Sequence, residues 1–230
     1  MTELRDCTDP QAWAQHITEA VTAVREGELI VLPTDTVYGV GADAFTPEAV
    51  QALLTAKGRD RSKPPPVLIA QQETMEALAT QISDDARALA ENFWPGPLTL
   101  ILTAQPSLMW DLGETHGTVA LRVPEDEFAQ ELLSQTGPLA VSSANVTGNP
   151  PATDCQQALD QFGDLVAIYL DTGGAKGQVP STIVDCTGSE PVIVRQGALT
   201  LAEIQHISPT ARLVDDDAAT QSDSDDEASP

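Results

Sequence analysis

An α/β domain with a mixed, twisted sheet flanked by helices is the architecture this 230-residue sequence predicts. Strand-like apolar runs and amphipathic helical stretches alternate through most of the chain, as layered α/β folds require. The alternation is broken by some helix–helix and strand–strand neighbours, which makes the sheet mixed rather than wholly parallel. Clusters of small polar side chains fall mostly at the ends of the apolar runs, where such sheets hold ligands. With 41% hydrophobic residues the chain suits one sizeable domain plus a tail.

Asp9-Pro10 opens the first helix, with Asp9 as N-cap and Pro10 at its first position. Trp13, Ile17, Ala20, Val21 and Val24 follow at helical spacing, and Gly27 closes it. Leu29 to Leu32 is a buried strand ended by Pro33, and Thr34, Asp35 and Thr36 follow it, then Tyr38, Gly39 and Gly41. Such a stretch reads equally as an ornate turn or as the edge of a ligand crevice. Thr46-Pro47 starts a second helix, which ends near Lys57-Gly58. Lys57, Arg59, Arg61 and Lys63 then gather within seven residues, before Pro64-Pro65-Pro66 forces an extended exit into a strand over Val67 to Ala70.

Glu73 to Thr80 and Ser83 to Asn92 read as two short helices, the second capped by Ser83. Trp94-Pro95-Gly96-Pro97 is a rigid break before a strand over Leu98 to Leu102, and residues 104 to 117 form a polar loop. In Thr118 to Pro124 the residues alternate, so that Thr118, Ala120 and Arg122 share one strand face. An arginine there requires an anion, either a structural carboxylate or a ligand. A helix over Glu125 to Thr136 and a short strand over Pro138 to Val141 lead to a second polar turn, Ser142 to Gly148. Thr153-Asp154 starts a further helix to about Phe162. Leu165 to Leu170, Ser181 to Asp185 and Pro191 to Val194 read as extended segments, and Thr200 to Glu203 is a capping box for the last helix. Asp171 to Gly177 is a glycine-rich loop without the Gly-Lys-Ser/Thr ending of a P-loop.

The domain spans residues 1–213, and 214–230 is an acidic, disordered tail in which residues 215–230 hold no base. Acids outnumber bases 35 to 11, a net charge of −24, which argues against stable nucleic-acid binding. Four bases clustered in so acidic a chain point to an anion site, set against the plainer alternative of a solvated basic loop. Cys7, Cys155 and Cys186 are odd in number and widely spaced, which suits reduced thiols in a cytoplasmic protein. No run is long and apolar enough for a bilayer, and the first ten residues lack the apolar core of a secretory signal. His116 has no second ligand nearby, so no protein metal site is expected.

Seven stretches, in one order, resemble the Sua5/YrdC/TsaC family of L-threonylcarbamoyladenylate synthases. They are Pro33-Thr-Asp-Thr-Val-Tyr-Gly39, Lys57-Gly-Arg59, Trp94-Pro-Gly-Pro-Leu-Thr99, Val119-Ala-Leu-Arg-Val-Pro124, Ser143-Ala-Asn-Val-Thr-Gly148, Ser181-Thr-Ile-Val-Asp185 and Arg195-Gln-Gly-Ala198. The likeness covers residues 12 to about 207 and is to the short, TsaC-like form. It implies a single YrdC-like domain with a concave, positively lined cleft. It also implies a nucleotidyltransferase that joins L-threonine, bicarbonate or CO2 and ATP into threonylcarbamoyl-AMP and pyrophosphate. That product would be handed to a transferase complex that makes t6A at position 37 of tRNA. Magnesium is expected with the ATP.

By the same resemblance, Lys57, Arg59, Ser143 and Asn145 form the catalytic set. Arg59, Lys63, Thr118, Ser143, Asn145, Pro151 and Arg195 take ATP, and Thr36, Arg122, Val141 and Ser181 take threonine. The pattern departs at Leu68, where many members have histidine, and at Pro64-Pro65-Pro66, where one proline is usual. Two anions must meet in this reaction, so positioning and charge neutralisation carry it and no strong general base is needed. A module that binds RNA in a basic cleft is the rival reading; the −24 charge and the full motif set favour the enzyme.

Overall fold

A computed structural model describes residues 3–214, so the tail read at 214–230 lies, beyond its first residue, outside the described residues. Strand β1 (Glu3–Asp6) precedes a 3-10 turn (Pro10–Ala12) and helix α1 (Trp13–Arg25). The pair β2 (Ile30–Leu32) and β3 (Gly39–Asp43) is followed by α2 (Pro47–Ala56) and β4 (Val67–Leu68). A 3-10 turn (Gln72–Thr74), α3 (Met75–Leu78), β5 (Ala79–Thr80) and α4 (Asp84–Phe93) lead to β6 (Leu98–Ala104) and β7 (Thr118–Arg122). Then come α5 (Glu127–Thr136), β8 (Leu139–Ser143), α6 (Cys155–Phe162), a 3-10 turn (Gly163–Leu165) and β9 (Ile168–Asp171). Strands β10 (Thr182–Asp185) and β11 (Val192–Arg195), helix α7 (Leu201–Ile207) and β12 (Arg212–Leu213) complete the described chain.

The caps expected at Asp9, Ser83 and Thr200 form as read, each side chain accepting a backbone N–H of the first turn, and Asp154 caps α6 likewise. Thr46 makes no such side-chain bond, and α2 starts on the preset backbone of Pro47 instead.

The strands join one mixed sheet in the order β1-β9-β2-β3-β8-β4-β7-β6-β10-β11-β12, with β5 paired to β6. Pairs such as β6 with β10 are parallel, and β2 with β3, β3 with β8 and β6 with β7 are antiparallel. Because side chains alternate across a strand, the two faces bury different cores. Val31, Val40, Leu100, Leu121 and Val184 pack against Leu53 of α2, Leu89 of α4, Ala158 of α6 and Ile204 of α7. On the other face Ile30, Leu32, Leu68, Leu139 and Val141 pack against Ile17 and Val21 of α1 and Phe128 and Leu132 of α5. Among the described residues, none from β6, β7, β10 or β11 joins that second core. Half of this face is therefore left without helical cover, and the cleft lies there.

Several elements differ from the sequence reading. Strand β3 occupies a stretch read as turn, because Gly39 and Gly41 carry almost no strand propensity. They are glycines for close approach: a Cβ on Gly39 would stand 2.6 Å from Val141 Cγ1. Strand β1 was also unforeseen; three of its four residues are charged, and its place depends on β9, 165 positions away in register. The helix expected over Glu73 to Thr80 ends early and gives way to β5, which pairs with the end of β6. The three cysteines are buried and free, and burial pushes each thiol up to about 12, so they are unreactive.

Candidate active site

The first polar turn is the loop of the β2–β3 hairpin, and the protons of its two threonine hydroxyls are allocated. Thr34 Oγ1 donates to Val37 O at 2.6 Å and accepts from the Thr36 backbone N–H. With its single proton spent, Thr34 can only accept from Thr36 Oγ1, 3.0 Å away. Thr36 in turn accepts from Arg122 Nη1 at 3.0 Å, which leaves its hydroxyl an acceptor toward anything further.

Arg122 is 5% exposed and fixed on three sides. Its Nε donates to Gly96 O at 3.0 Å, Nη1 to Thr36 and Nη2 to Asp35 Oδ1 at 2.6 Å. Asp35, left without a role of its own in the sequence reading, is the counter-ion of Arg122 and also accepts from the Glu125 N–H at 3.0 Å. Burial pulls the Arg122 guanidinium below its ordinary value, and Asp35 opposes that pull. Some donor capacity of Arg122 remains, since a guanidinium has five N–H groups.

Arg122, Arg59 and Arg195 line one cavity of about 190 Å³, together with Thr36, Thr99, Ser181, Leu68 and Val141 among others. Arg195 reaches in from β11 and donates to Ser181 O at 2.7 Å and to Ser181 Oγ at 3.2 Å. Arg59 donates to Ser142 Oγ at 3.0 Å. Burial holds Arg195 and Arg59 below the usual guanidinium value, and Arg195 is lowered further by Arg122 and Arg59. Three mutually repelling cations with Asp35 as their near carboxylate form a field that an anion would relieve.

The Lys57 and Ser143–Asn145 motifs meet across the fold. Lys57 is fully buried, and its ammonium donates to Ser143 O and, at 2.6 Å, to Asn145 O. Ser143 Oγ donates to Asn145 Oδ1 at 2.6 Å, while the Asn145 amide donates to Val146 O and Asn149 O. Thr147 N donates to Lys57 O at 2.9 Å. Desolvation first, then the Arg59 charge, lowers the Lys57 amine to about 7.

The structure thus gathers Thr36, Arg59, Arg122, Val141, Ser143, Ser181 and Arg195 around one cavity. It places Lys57 and Asn145 beneath the turn that forms one wall, not on the wall itself. Lys63, Thr118 and Pro151 do not line this cavity. Lys63 is exposed, and the Thr118 hydroxyl is turned to Thr115 O at 2.8 Å. Pro151 precedes Ala152, which accepts from Tyr38 N and donates to Ala144 O. Leu68 and Val141 give the floor an apolar patch beside Arg122. Sequence reasoning gave Thr34, Thr99 and Ser142 no site role, although Thr34 and Ser142 stood in the polar turns it singled out; each sits at a strand end or within a strand that faces the uncovered half.

A larger cavity, about 730 Å³, touches the first at Thr36 and lies under residues 176–179. Asp35, Glu125, Asp126 and Glu127 line it against Lys176 alone. That sign repels phosphates and carboxylates, so the chemistry belongs to the smaller, cationic cavity.

The Sua5/YciO/YrdC family model, described under telomere recombination, matches residues 22–197. A putative threonylcarbamoyl-AMP synthase of Mycobacterium tuberculosis is 51% identical over 207 residues, 90% of this chain and 95% of that protein. Among solved structures, a variant of P. abyssi Sua5 superposes with a TM-score of 0.88 at 36% identity, covering 93% of this chain and 62% of the other. P. abyssi Sua5 complexed with L-threonine superposes with a TM-score of 0.82 at 37% identity, covering 86% of this chain and 58% of the other. The chain therefore spans about three fifths of those Sua5 molecules.

Proposed function

The chain belongs to the Sua5/YciO/YrdC family, and on that footing we propose that it is an L-threonylcarbamoyladenylate synthase, a nucleotidyltransferase. The observation that carries the reading is the convergence of Arg59, Arg122 and Arg195 with Thr36 and Ser181 on one cavity. The synthase name of the M. tuberculosis relative and the threonine held by P. abyssi Sua5 support the same substrate class.

In this reading Arg122 takes the threonine carboxylate. It stands in its strand with Leu68 on one side and Thr99 and Ser181 on the other, so it meets the substrate amid both apolar and hydroxyl groups. A pocket that matches a hydroxyl penalises valine, which leaves the polar partner unsatisfied. The threonine amine, neutral and lodged beside Thr36, takes up CO2 as an N-carboxylate: its lone pair bonds the carbon, one C=O π bond opens onto oxygen, and an N–H proton is lost to water. A carboxylate oxygen then attacks the α-phosphorus of ATP; an O–P bond forms, the Pα–O–Pβ bond breaks, and pyrophosphate leaves. Arg59 and Arg195 lower the barrier by neutralising two anions that must approach each other. Ser143 and Asn145 shape the nucleotide wall, and Lys57 holds that wall from beneath. Lys63, Thr118 and Pro151, outside the cavity, are proposed to meet ATP where it extends beyond the cavity.

Among the described residues no group of three His, Cys, Asp or Glu side chains is placed to hold a metal ion. Among the described residues no carboxylate lines the cationic cavity, and Asp35 beside it is paired with Arg122. Magnesium is proposed to enter with the substrate, chelated by the triphosphate. Among the described residues no helix is long and apolar enough to cross a membrane; a cytoplasmic enzyme that passes its product to a tRNA threonylcarbamoyltransferase complex fits this reading. Purified protein given Mg²⁺-ATP, bicarbonate and L-threonine should release pyrophosphate only when all are present. Release that ignores threonine and bicarbonate would sink the assignment.

A further inference from the structure

Thr99 lies in the cavity at 1% exposure, carried by β6 between β7, which bears Arg122, and β10, which Ser181 precedes. Its hydroxyl stands 2.9 Å from Ser181 Oγ. Ser181 Oγ already accepts from Arg195 Nη2 at 3.2 Å, and the same nitrogen is tied to Ser181 O at 2.7 Å. A hydroxyl has one proton and two acceptor sites, and a guanidinium only donates. Two arrangements remain. If Ser181 donates to Thr99, it turns a lone pair to the cavity, which repels an anion. If Thr99 donates to Ser181, both acceptor sites of Ser181 are filled and its proton is free to meet an anion, the stronger, charge-assisted bond.

We propose that Thr99 is a positioning residue for the amino-acid substrate: its hydroxyl donates to Ser181 and so commits Ser181 as a hydrogen-bond donor to the substrate carboxylate. Thr36 has the opposite polarity, because its proton is spent on Thr34 and Arg122 occupies one of its acceptor sites. A donor hydroxyl and an acceptor hydroxyl thus stand in the same cavity as Arg122. The first reads the carboxylate, and the second reads the amine or hydroxyl of the same molecule. This inference rests on the reading of the cavity as an L-threonine site.

The test measures L-threonine binding by calorimetry and turnover by pyrophosphate release for wild type, Thr99→Val and Thr99→Ser. Valine keeps the shape and removes the hydroxyl; serine keeps the hydroxyl. Thr99→Val should weaken threonine binding and raise its KM about fivefold, the effect of one lost hydrogen bond, with kcat within about twofold of wild type. Thr99→Ser should restore both to within about twofold. In a Ser181→Ala background Thr99→Val should add almost nothing, because the two hydroxyls act as a unit. Should valine prevent folding, Thr99→Ala in the same series serves in its place. Undiminished binding in the hydroxyl-free variant, or an equal loss with and without Ser181, overturns the inference alone. Wild-type protein that takes up no L-threonine overturns the functional reading, and this inference with it.

Discussion

Among the described residues no carboxylate pairs with the buried Lys57 amine. Its ammonium is held by the main-chain carbonyls of Ser143 and Asn145, and desolvation lowers it to about 7 from an ordinary value of 10.5. Below pH 7 the folded chain bears the full cost of the buried charge. Between about pH 7 and 10.5 the unfolded chain binds the extra proton, so this group makes stability rise with pH across that window. Denaturant unfolding of wild type and Lys57→Met should therefore show the wild type gaining on the variant from pH 6 to pH 9.5. A gap independent of pH would mean that Lys57 is ordinarily charged in the fold. The sequence showed four bases close together, but not that Lys57 would be turned inward and Arg59 toward the cavity. Burial of one and exposure of the other to the cavity are set by what packs on the end of α2.

The elements that position the site are short, and their spacing is tight. Residues 195–197 pass so close to the strand entry at 180–181 that a Cβ on Gly197 would stand 2.2 Å from Pro180 O and 2.5 Å from Ser181 O. Gly197 N also donates to Thr182 Oγ1 at 3.0 Å. Backbone cannot yield as a flexible side chain does, so Gly197→Ala should cost about 1–3 kcal/mol of stability by denaturant unfolding. It should also raise the KM for L-threonine, because Ser181 is what the new methyl group displaces. Gly188→Ala is the matched control, since its nearest neighbour is Glu190 O at 3.8 Å. At this scale the caps at Asp9, Ser83 and Thr200 were legible, because a cap acts on backbone two or three residues away. Strand β3 was not, because its glycines answer to Leu32 and to Val141 on the neighbouring strands rather than to local propensity.

The molecule as a whole carries −24 charges, yet its cavity is cationic. Of the reactants proposed for it, Mg²⁺-ATP and bicarbonate are anions, so they approach through a field of the wrong sign before meeting the right one. Salt screens over about 10 Å at 0.1 M, which removes the long-range repulsion more than the buried attraction. The KM for Mg²⁺-ATP should accordingly fall as ionic strength rises from about 0.01 to about 0.15 M. A steep rise would show that exposed bases such as Lys63, not the buried arginines, dominate nucleotide binding.

By itself the sequence determined the α/β class, most strand and helix positions, the unusual basic cluster and the polar turns after Leu32 and Val141. These are local properties, written in periodicity, caps and composition. The tertiary structure decided which side of the sheet stays uncovered, that Asp35 is the counter-ion of Arg122 87 residues away, and which hydroxyls donate and which accept. Alternation tells that Arg122 and Ala120 share a face, but only the packing of α1 and α5 over half of that face makes the rest a cavity. A hydroxyl proton, likewise, is assigned by partners that the fold brings together from distant parts of the chain.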